Sequence, residues 1–379
     1  MSNMKVGILT LPIGTNYGGI LQAYALEKIL ERMGHEVVVI NKDRVCLKWY
    51  QAILKVPYRF LRKYVLGDKN KTVFFERKKN EENAIVTQYT SQFMKKNMNV
   101  ISVCEFSKIK QLGLDAIVVG SDQIWRRKYL HANFINVYDA FLQFASEWNV
   151  KRIAYAASFG TDEWEYTEKE TSVIRRLLGR FDAVSVREYS GLSLCKEHLS
   201  FDSSELMIDP TLLLNAEDYL EGMENVNDSG EIISYILDEG KVADEVIERV
   251  SSYLFAPCVS IAPKHGKDLP AEERILAPLE EWICRMRSSK FVITDSFHAC
   301  VFCIIFRKPF VVIRNKDRGV SRLDTLLNNF NLANRAINNA GDINMDLFSI
   351  PLDNLIIERE LEVGYNLAFD FFTQKLKNA

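Results

Sequence analysis

The sequence predicts an α/β protein of two units, each a largely parallel sheet dressed with helices, with a ligand cleft between them. Three observations carry that expectation. Short apolar, β-compatible runs alternate with amphipathic helical stretches along the chain. Polar clusters follow directly on several of these runs, where open α/β sheets bind their ligands. The pattern lapses in a polar stretch over residues 215–230 and then restarts, and 379 residues exceed the roughly 250 to 300 at which single cores stop growing.

The elements follow in order. Lys5–Leu11 (KVGILTL) reads as a first strand, ended by Pro12 and Gly14. The loop Thr15-Asn-Tyr-Gly-Gly19 leads into a helix over 20–33, with Leu21, Ala25, Ile29 and Leu30 on one face; Gly34 stops it and His35–Ile40 is the second strand. Such a β-loop-α-β opening pairs its strands in parallel through a right-handed crossover. Residues 41–112, rich in Lys, Glu, Asn and aromatics, read as mostly helical with weak periodicity. Asp115–Gly120 is the clearest buried strand and runs into Ser121-Asp122-Gln123; Lys151–Ser158 and Phe181–Arg187 repeat the pattern, with a helix ending near Arg180 between them. Met207–Pro210 closes the first unit. Glu231–Leu237 restarts the pattern, followed by a helix near 242–253, strands at 259–262 and 291–294, the turn Asp295-Ser-Phe-His298, a helix over 299–306 and a strand at 310–313. A helical segment, 358–377, ends the chain. The expected division is 1–214, 215–350, and a C-terminal helical segment, 351–379, packing back on the first unit.

Composition narrows the function. Hydrophobic residues make up 47% and charged residues 26%, the balance of a globular chain. With 48 Lys and Arg against 50 Asp and Glu, the net charge of -2 argues against nucleic acid as a ligand. Seven cysteines without repeated spacing fit a reducing compartment better than a secreted disulfide scaffold. The apolar run at the N-terminus is too short for a signal peptide, and no run reaches the 18 or so apolar residues that cross a membrane. A cytoplasmic enzyme is expected.

Several residues stand where chemistry would be done. The two glycines of the first loop let backbone approach a ligand, and the helix N-terminus beyond them favours a polar oxygen, which singles out Asn16, Gly18 and Gly19. The loop is neither GxGxxG nor a Walker sequence, so neither dinucleotide nor ATP binding follows. Ser121 and Asp122 lie at a strand end, where the carboxylate either caps a helix or takes a proton from a hydroxyl. His298 falls in the first turn after an apolar strand: desolvation and the helix dipole lower its pKa there, and a phosphate beside it raises it. Arg187, ending a β-run, and Arg322, in a polar loop running into a helix, suit either ion pairs or a bidentate grip on a small dianion. No pair among the five histidines has metal-ligand spacing, and Cys300 with Cys303 forms one isolated CxxC on an apolar helix, which suits core packing; no metal is expected.

Four segments, NYGGILQAYAL from Asn16, VVGSDQIW from Val118, VSVREYSG from Val184 and TDSFHACVFCIIFRKPFVVI from Thr294, together resemble the polysaccharide pyruvyltransferase family. The resemblance implies two Rossmann-like domains facing a cleft, an architecture similar to that of GT-B glycosyltransferases. It implies transfer of the enolpyruvyl group of phosphoenolpyruvate to two hydroxyls of a hexose, in a precursor of a surface or capsular polysaccharide, giving a cyclic pyruvate ketal and phosphate. The acceptor then belongs to the first domain and phosphoenolpyruvate, as donor substrate with no cofactor, to the second. By the same resemblance His298 matches the family's essential histidine, Arg187 an arginine that contacts phosphoenolpyruvate, and Arg322 a position where a lysine or arginine contacts the same ligand. Many members carry an arginine two residues before the histidine, where this chain has Ser296, so Lys264, Arg314, Lys316 and Arg318 become candidates to supply that cation.

The chemistry asks for an acid toward carbon, cations for carboxylate and phosphate, and a base for the hydroxyl. His298, Arg187 with Arg322, and Asp122 or Asp295 fit those roles, without a metal. Two other readings stay open at this point: a nucleotide-sugar glycosyltransferase of the same architecture, and a non-catalytic binder of anionic sugars, suggested by Ser296. A lipid-linked acceptor would make Lys48–Lys63 (KWYQAILKVPYRFLRK), with five basic residues among aromatics and leucines, a candidate for peripheral contact with the inner face of a membrane.

Overall fold

The computed structural model describes residues 3–42, 49–68, 72–132, 136–223, 227–264, 266, 269–315, 318–348 and 350–377. The fold is α/β, with two all-parallel sheets facing a cleft. The first holds β1 (Lys5–Leu9), β2 (Glu36–Lys42), β3 (Val100–Val103), β4 (Ala116–Val119), β5 (Lys151–Ala157), β6 (Ala183–Val186) and β7 (Glu205–Leu206), in the order β3-β2-β1-β4-β5-β6-β7. The second holds β8 (Ile232–Tyr235), β9 (Cys258–Ser260), β10 (Phe291–Thr294), β11 (Phe310–Ile313) and β12 (Ala336–Ile337), in the order β12-β11-β10-β8-β9. Central strands such as AIVV and FVVI are buried at every position, because helices cover both faces of a parallel sheet.

Helices α1 (Tyr17–Arg32), α2 (Trp49–Phe60), α3 (Phe75–Val86), α4 (Gln88–Asn97), α5 (Arg127–Ala132), α6 (Glu168–Leu178) and α7 (Tyr189–Leu199) accompany the first sheet. α8 (Ala216–Leu220), α9 (Lys241–Leu254), α10 (Leu279–Ser288), α11 (Phe297–Ile305) and α12 (Val320–Asn329) accompany the second, and α13 (Asn354–Lys375) closes the chain. Local chemistry sets several ends. Thr167 and Glu170 form a capping box at α6, each side chain bonded to the other's backbone N–H. Asn16 caps α1 by accepting from the Gly18 N–H at 3.1 Å, so the helix starts at Tyr17 and takes both glycines into its first turn, three residues before the sequence suggests.

Other departures have equally plain causes. β3 hides in the stretch read as helical, because its four residues pair with β2 (Val39 to Val100) and only Val103 is buried, too little for a period-2 signal. α12 begins at Val320, so Arg322 sits in its first turn and not in the loop before it. α7 and α10 are also missing from the sequence reading. α13 returns to the first sheet, where Phe371 and Phe372 meet Tyr155 of β5 with ring centroids 6.0 and 4.7 Å apart. Its Lys375 carbonyl accepts from Lys151 Nζ at 3.0 Å.

One apolar core runs from β1 and α1 through α11 into the second sheet, so the two halves share buried side chains. All nine residues of α11 are buried, Cys300 and Cys303 among them as free thiols in that core. Cys104 is disulfide-bonded, a departure from a fully reduced chain.

Candidate active site between the two sheets

Each sheet reverses its strand order once, between β1 and β4 in the first and between β8 and β10 in the second. A crevice opens at such a point, beyond the carboxyl ends of the strands. The two crevices share one cavity of about 420 Å³. Its wall takes Leu11, Pro12, Asn16 and Gly19 after β1, Asp122 and Gln123 after β4, Leu237 and Asp238 after β8, and Asp295 to His298 after β10. Lys128 and Tyr129 of α5, with Arg318 and Arg322 at the start of α12, complete it.

His298 is positioned from two sides. Ser296 caps α11, its Oγ accepting from the Ala299 N–H at 3.5 Å while its own N–H donates to Thr294 Oγ1 at 3.0 Å, and this sets His298 in the first turn. The first turn of α1 lies against the imidazole: a Cβ placed on Gly18 would stand 2.1 Å from His298 Nδ1. Only a glycine leaves room for the ring. His298 Nε2 is 3.9 Å from Asp209 Oδ2 and has no hydrogen-bond partner.

A chain of buried charges stands behind the ring. Asp209, almost fully buried, pairs with the Arg187 guanidinium and accepts from Ser121 Oγ at 3.2 Å, the Thr211 N–H at 3.0 Å and Thr211 Oγ1 at 2.5 Å. Arg187 Nη2 reaches Asp122 at 3.6 Å, and Asp122 reaches Arg322 Nη1 at 3.4 Å. The Phe297 ring serves both guanidiniums as a cation-π partner, 4.5 Å from Arg187 Cζ and 4.9 Å from Arg322 Cζ.

Burial pushes the His298 imidazole down to about 4; Asp209 and Asp122 oppose that shift, and Arg187 and Arg322 reinforce it. The ring is therefore neutral near pH 7. Burial alone would raise the Asp209 carboxyl, but Arg187, His298 and the Thr211 hydrogen bonds outweigh it and hold it at about 2. Burial, with Arg187 adding to it, brings Arg322 down to about 10 against the pull of Asp122.

Of the residues singled out in the sequence, His298, Asp122, Asp295, Ser296, Arg322, Asn16 and Gly19 share the cavity wall. Arg187, Ser121 and Gly18 stand behind it. Two carboxylates, Asp209 and Asp122, engage the Arg187 guanidinium, which is not among the side chains that line the cavity. Ser121 spends its N–H on Gln22 Oε1 at 2.8 Å, and its Oγ bonds the Ala156 carbonyl at 3.0 Å, so it ties β4 to α1 and β5. Gly18 packs against the His298 ring. Asp295 accepts the N–H groups of Leu237 and Asp238 at 2.8 and 3.0 Å, which commits both its oxygens to the loop after β8.

Among the cations weighed against Ser296, Arg318 lines the cavity, bonded to Asp238 at 2.5 and 2.7 Å. Arg314 pairs with Asp324 at 3.0 Å, Lys264 is exposed, and Lys316, like His265, lies outside the described residues. Sequence reasoning misses Asp209 and Phe297. Asp209 precedes Pro210 and bonds the Thr211 N–H, a pattern that reads as a turn cap, and Phe297 reads as core. Among the described residues no group of three or more His, Cys, Asp and Glu side chains is arranged to hold a metal ion.

Comparison with solved structures finds distant likenesses. An α-glucosyltransferase in complex with UDP-glucose and DNA containing an abasic site matches over 97% of this chain and 95% of its own, at 9% identity and a TM-score of 0.48. S. aureus MnaA with UDP matches over 96% and 97%, at 14% identity and 0.43, and Arabidopsis thaliana UGT89C1 with UDP-L-rhamnose over 96% and 99%, at 8% and 0.42. At such scores these likenesses carry no argument about ligands. Comparison with curated proteins gives no match. Residues 16–317, which include the cavity wall from Asn16 to His298, match polysaccharide pyruvyl transferase, and the chain belongs to that family.

Proposed function

We propose that this enzyme transfers the enolpyruvyl group of phosphoenolpyruvate to two hydroxyls of a hexose in a polysaccharide precursor, forming a pyruvate ketal and releasing phosphate. The observation that carries the reading is His298: a neutral imidazole, its Nε2 unpartnered, on the wall of a cavity whose other charged side chains are engaged. Such a group stays idle until an anion arrives. A phosphate bound beside Arg322 and Arg318 raises the imidazole pKa, so the proton is loaded together with the donor.

The steps balance without an outside reactant. The oxygen of the first hydroxyl bonds to the central carbon of phosphoenolpyruvate as the methylene carbon takes a proton from His298, becoming a methyl group. Asp122 accepts the hydroxyl proton. It is ion-paired with Arg322 at 3.4 Å in the unliganded site, and a phosphate that takes over Arg322 frees this carboxylate to act as base. The second hydroxyl oxygen then displaces phosphate, and its proton leaves with the phosphate as hydrogen phosphate. Asp295 serves as a positioning residue for the loop after β8, and Arg318 supplies the cation that Ser296 does not. Arg187 acts from behind, fixing Asp209 and Asp122.

The test is phosphate release from phosphoenolpyruvate against a panel of hexosides, run beside His298→Ala. A positioned acid contributes roughly 10²–10⁴-fold, so the variant should lose that much turnover while keeping its melting temperature. Release that needs no sugar, or that survives in the variant, would sink the reading. Binding of a nucleoside diphosphate in place of phosphoenolpyruvate would replace it with glycosyl transfer.

A further inference from the structure

Ten of the twenty exposed large hydrophobic side chains of the described residues fall between Ile53 and Phe75. Ile53, Leu54, Phe60, Leu61, Val65 and Leu66 are each between 49% and 74% exposed. They belong to α2 and to the π-helical turn Leu61–Val65 that continues it, with Leu66 capping that turn. At about 100° per residue, Ile53, Leu54, Pro57, Tyr58, Phe60 and Leu61 fall within an arc of roughly 160°. Arg59 lies on the opposite side, where it bonds Glu76 of α3 through both nitrogens, at 2.6 and 2.8 Å. The usual arrangement of a surface helix is inverted: the charged side holds the helix to the protein, and the apolar side faces outward. Residues 53–66 (ILKVPYRFLRKYVL) carry four basic side chains and no acidic one.

We infer that this face docks on an anionic phospholipid surface, with the apolar arc in the headgroup boundary and the long side chains of Lys55 and Lys63, about 60° beyond its two edges, reaching back to the lipid phosphates. Beside the outward apolar arc, Arg59 pairs with Glu76 and Arg62 with Asp68 at 3.5 Å, which leaves the charges of Lys55 and Lys63 in excess, and an apolar arc with excess positive charge matches an anionic lipid surface. The contact is peripheral, since none of the described helices is long and apolar enough to cross a membrane. Lys48 and the side chains of residues 49–52 lie outside the described residues.

The placement bears on the active site. α3, whose first turn holds Arg59 through Glu76, presents Asn80 and Asn83 to a second, larger cavity of about 840 Å³. That cavity and the reaction cavity share Pro12 on their walls. If the reaction is the one proposed above, a glycan held at the bilayer would approach the reaction cavity from the side of this second cavity.

The test uses the full chain and phosphatidylcholine vesicles with and without phosphatidylglycerol, reading the sedimented fraction. Binding should require phosphatidylglycerol. The double variant Leu54→Asp/Leu61→Asp should lose it with an unchanged melting temperature, since both side chains are exposed. Lys55→Gln/Lys63→Gln should weaken it about 25-fold, at roughly 1 kcal/mol for each charge near an anionic surface. Equal partition of wild type and the Asp variant, or of wild type onto neutral and anionic vesicles, would overturn the inference. So would a dimer that the Asp variant breaks, which would assign the face to a second copy. The readout is partition and not turnover, so its failure and that of the proposed reaction are distinguishable.

Discussion

Gly18→Ala tests the geometry of the site most directly. The added Cβ would lie 2.1 Å from His298 Nδ1, 2.3 Å from Cγ and 2.8 Å from Cβ, with both backbones held in buried first turns. Ordinary van der Waals contact begins near 3.5 Å, so the imidazole must move by about 1.4 Å or α1 must back away from α11. A misplacement of about 1 Å at the chemistry costs on the order of 10²-fold in rate. Overpacking costs about 1–3 kcal/mol in stability. The variant should therefore fold with a lowered melting temperature and release phosphate at least a hundredfold more slowly. His298→Ala removes the two closest contacts but keeps the Cβ at 2.8 Å, itself closer than van der Waals contact, so Gly18→Ala should destabilise less in that background than in the wild type. That non-additivity is the signature of direct contact. Equal destabilisation in both backgrounds, or a wild-type turnover number for Gly18→Ala alone, would refute the reasoning.

Two further outcomes follow from the buried charges. His298 titrates near 4 in the folded protein against an ordinary 6.5, so the unfolded chain binds a proton first as pH falls. Stability present above about 6.5 should be lost between there and about 4, by about 3 kcal/mol at most, and a denaturation series should show a shallower fall over that window for His298→Ala. Asp209→Asn leaves the Arg187 guanidinium without its closest buried partner, and breaking such a pair costs about 3–5 kcal/mol. A shift in denaturant midpoint far below that range would mean that Asp122 alone satisfies Arg187.

Much of the frame was legible in the chain. Apolar runs such as DAIVVG and FDAVSVR are buried on both faces, which requires parallel strands covered by helices, and the polar residues after them mark the ligand side. The position of His298, one turn past β10 and behind a serine cap, is local information of the same kind. The weakly periodic stretch 41–112 was legible only as helical. There the reason is physical: α3 buries none of its residues fully and β3 only one, so little hydrophobic periodicity was needed to hold them.

By itself the sequence determined the alternation of strand and helix, the polar strand ends that border the cavity, and a histidine placed at one of them, because each depends on neighbours within a few residues. The tertiary structure alone decided which side chains face the cavity and which stand behind it. Arg187 and Arg318 both follow an apolar strand in the sequence, yet one is sealed between Asp122 and Asp209 and the other lines the cavity. Gly18 touches His298 from about 280 residues away, and the pKa of that imidazole depends on Asp209, Asp122, Arg187 and Arg322, gathered from both halves. Desolvation and Coulomb interaction act through space, so these properties exist only once the two sheets have closed on one another.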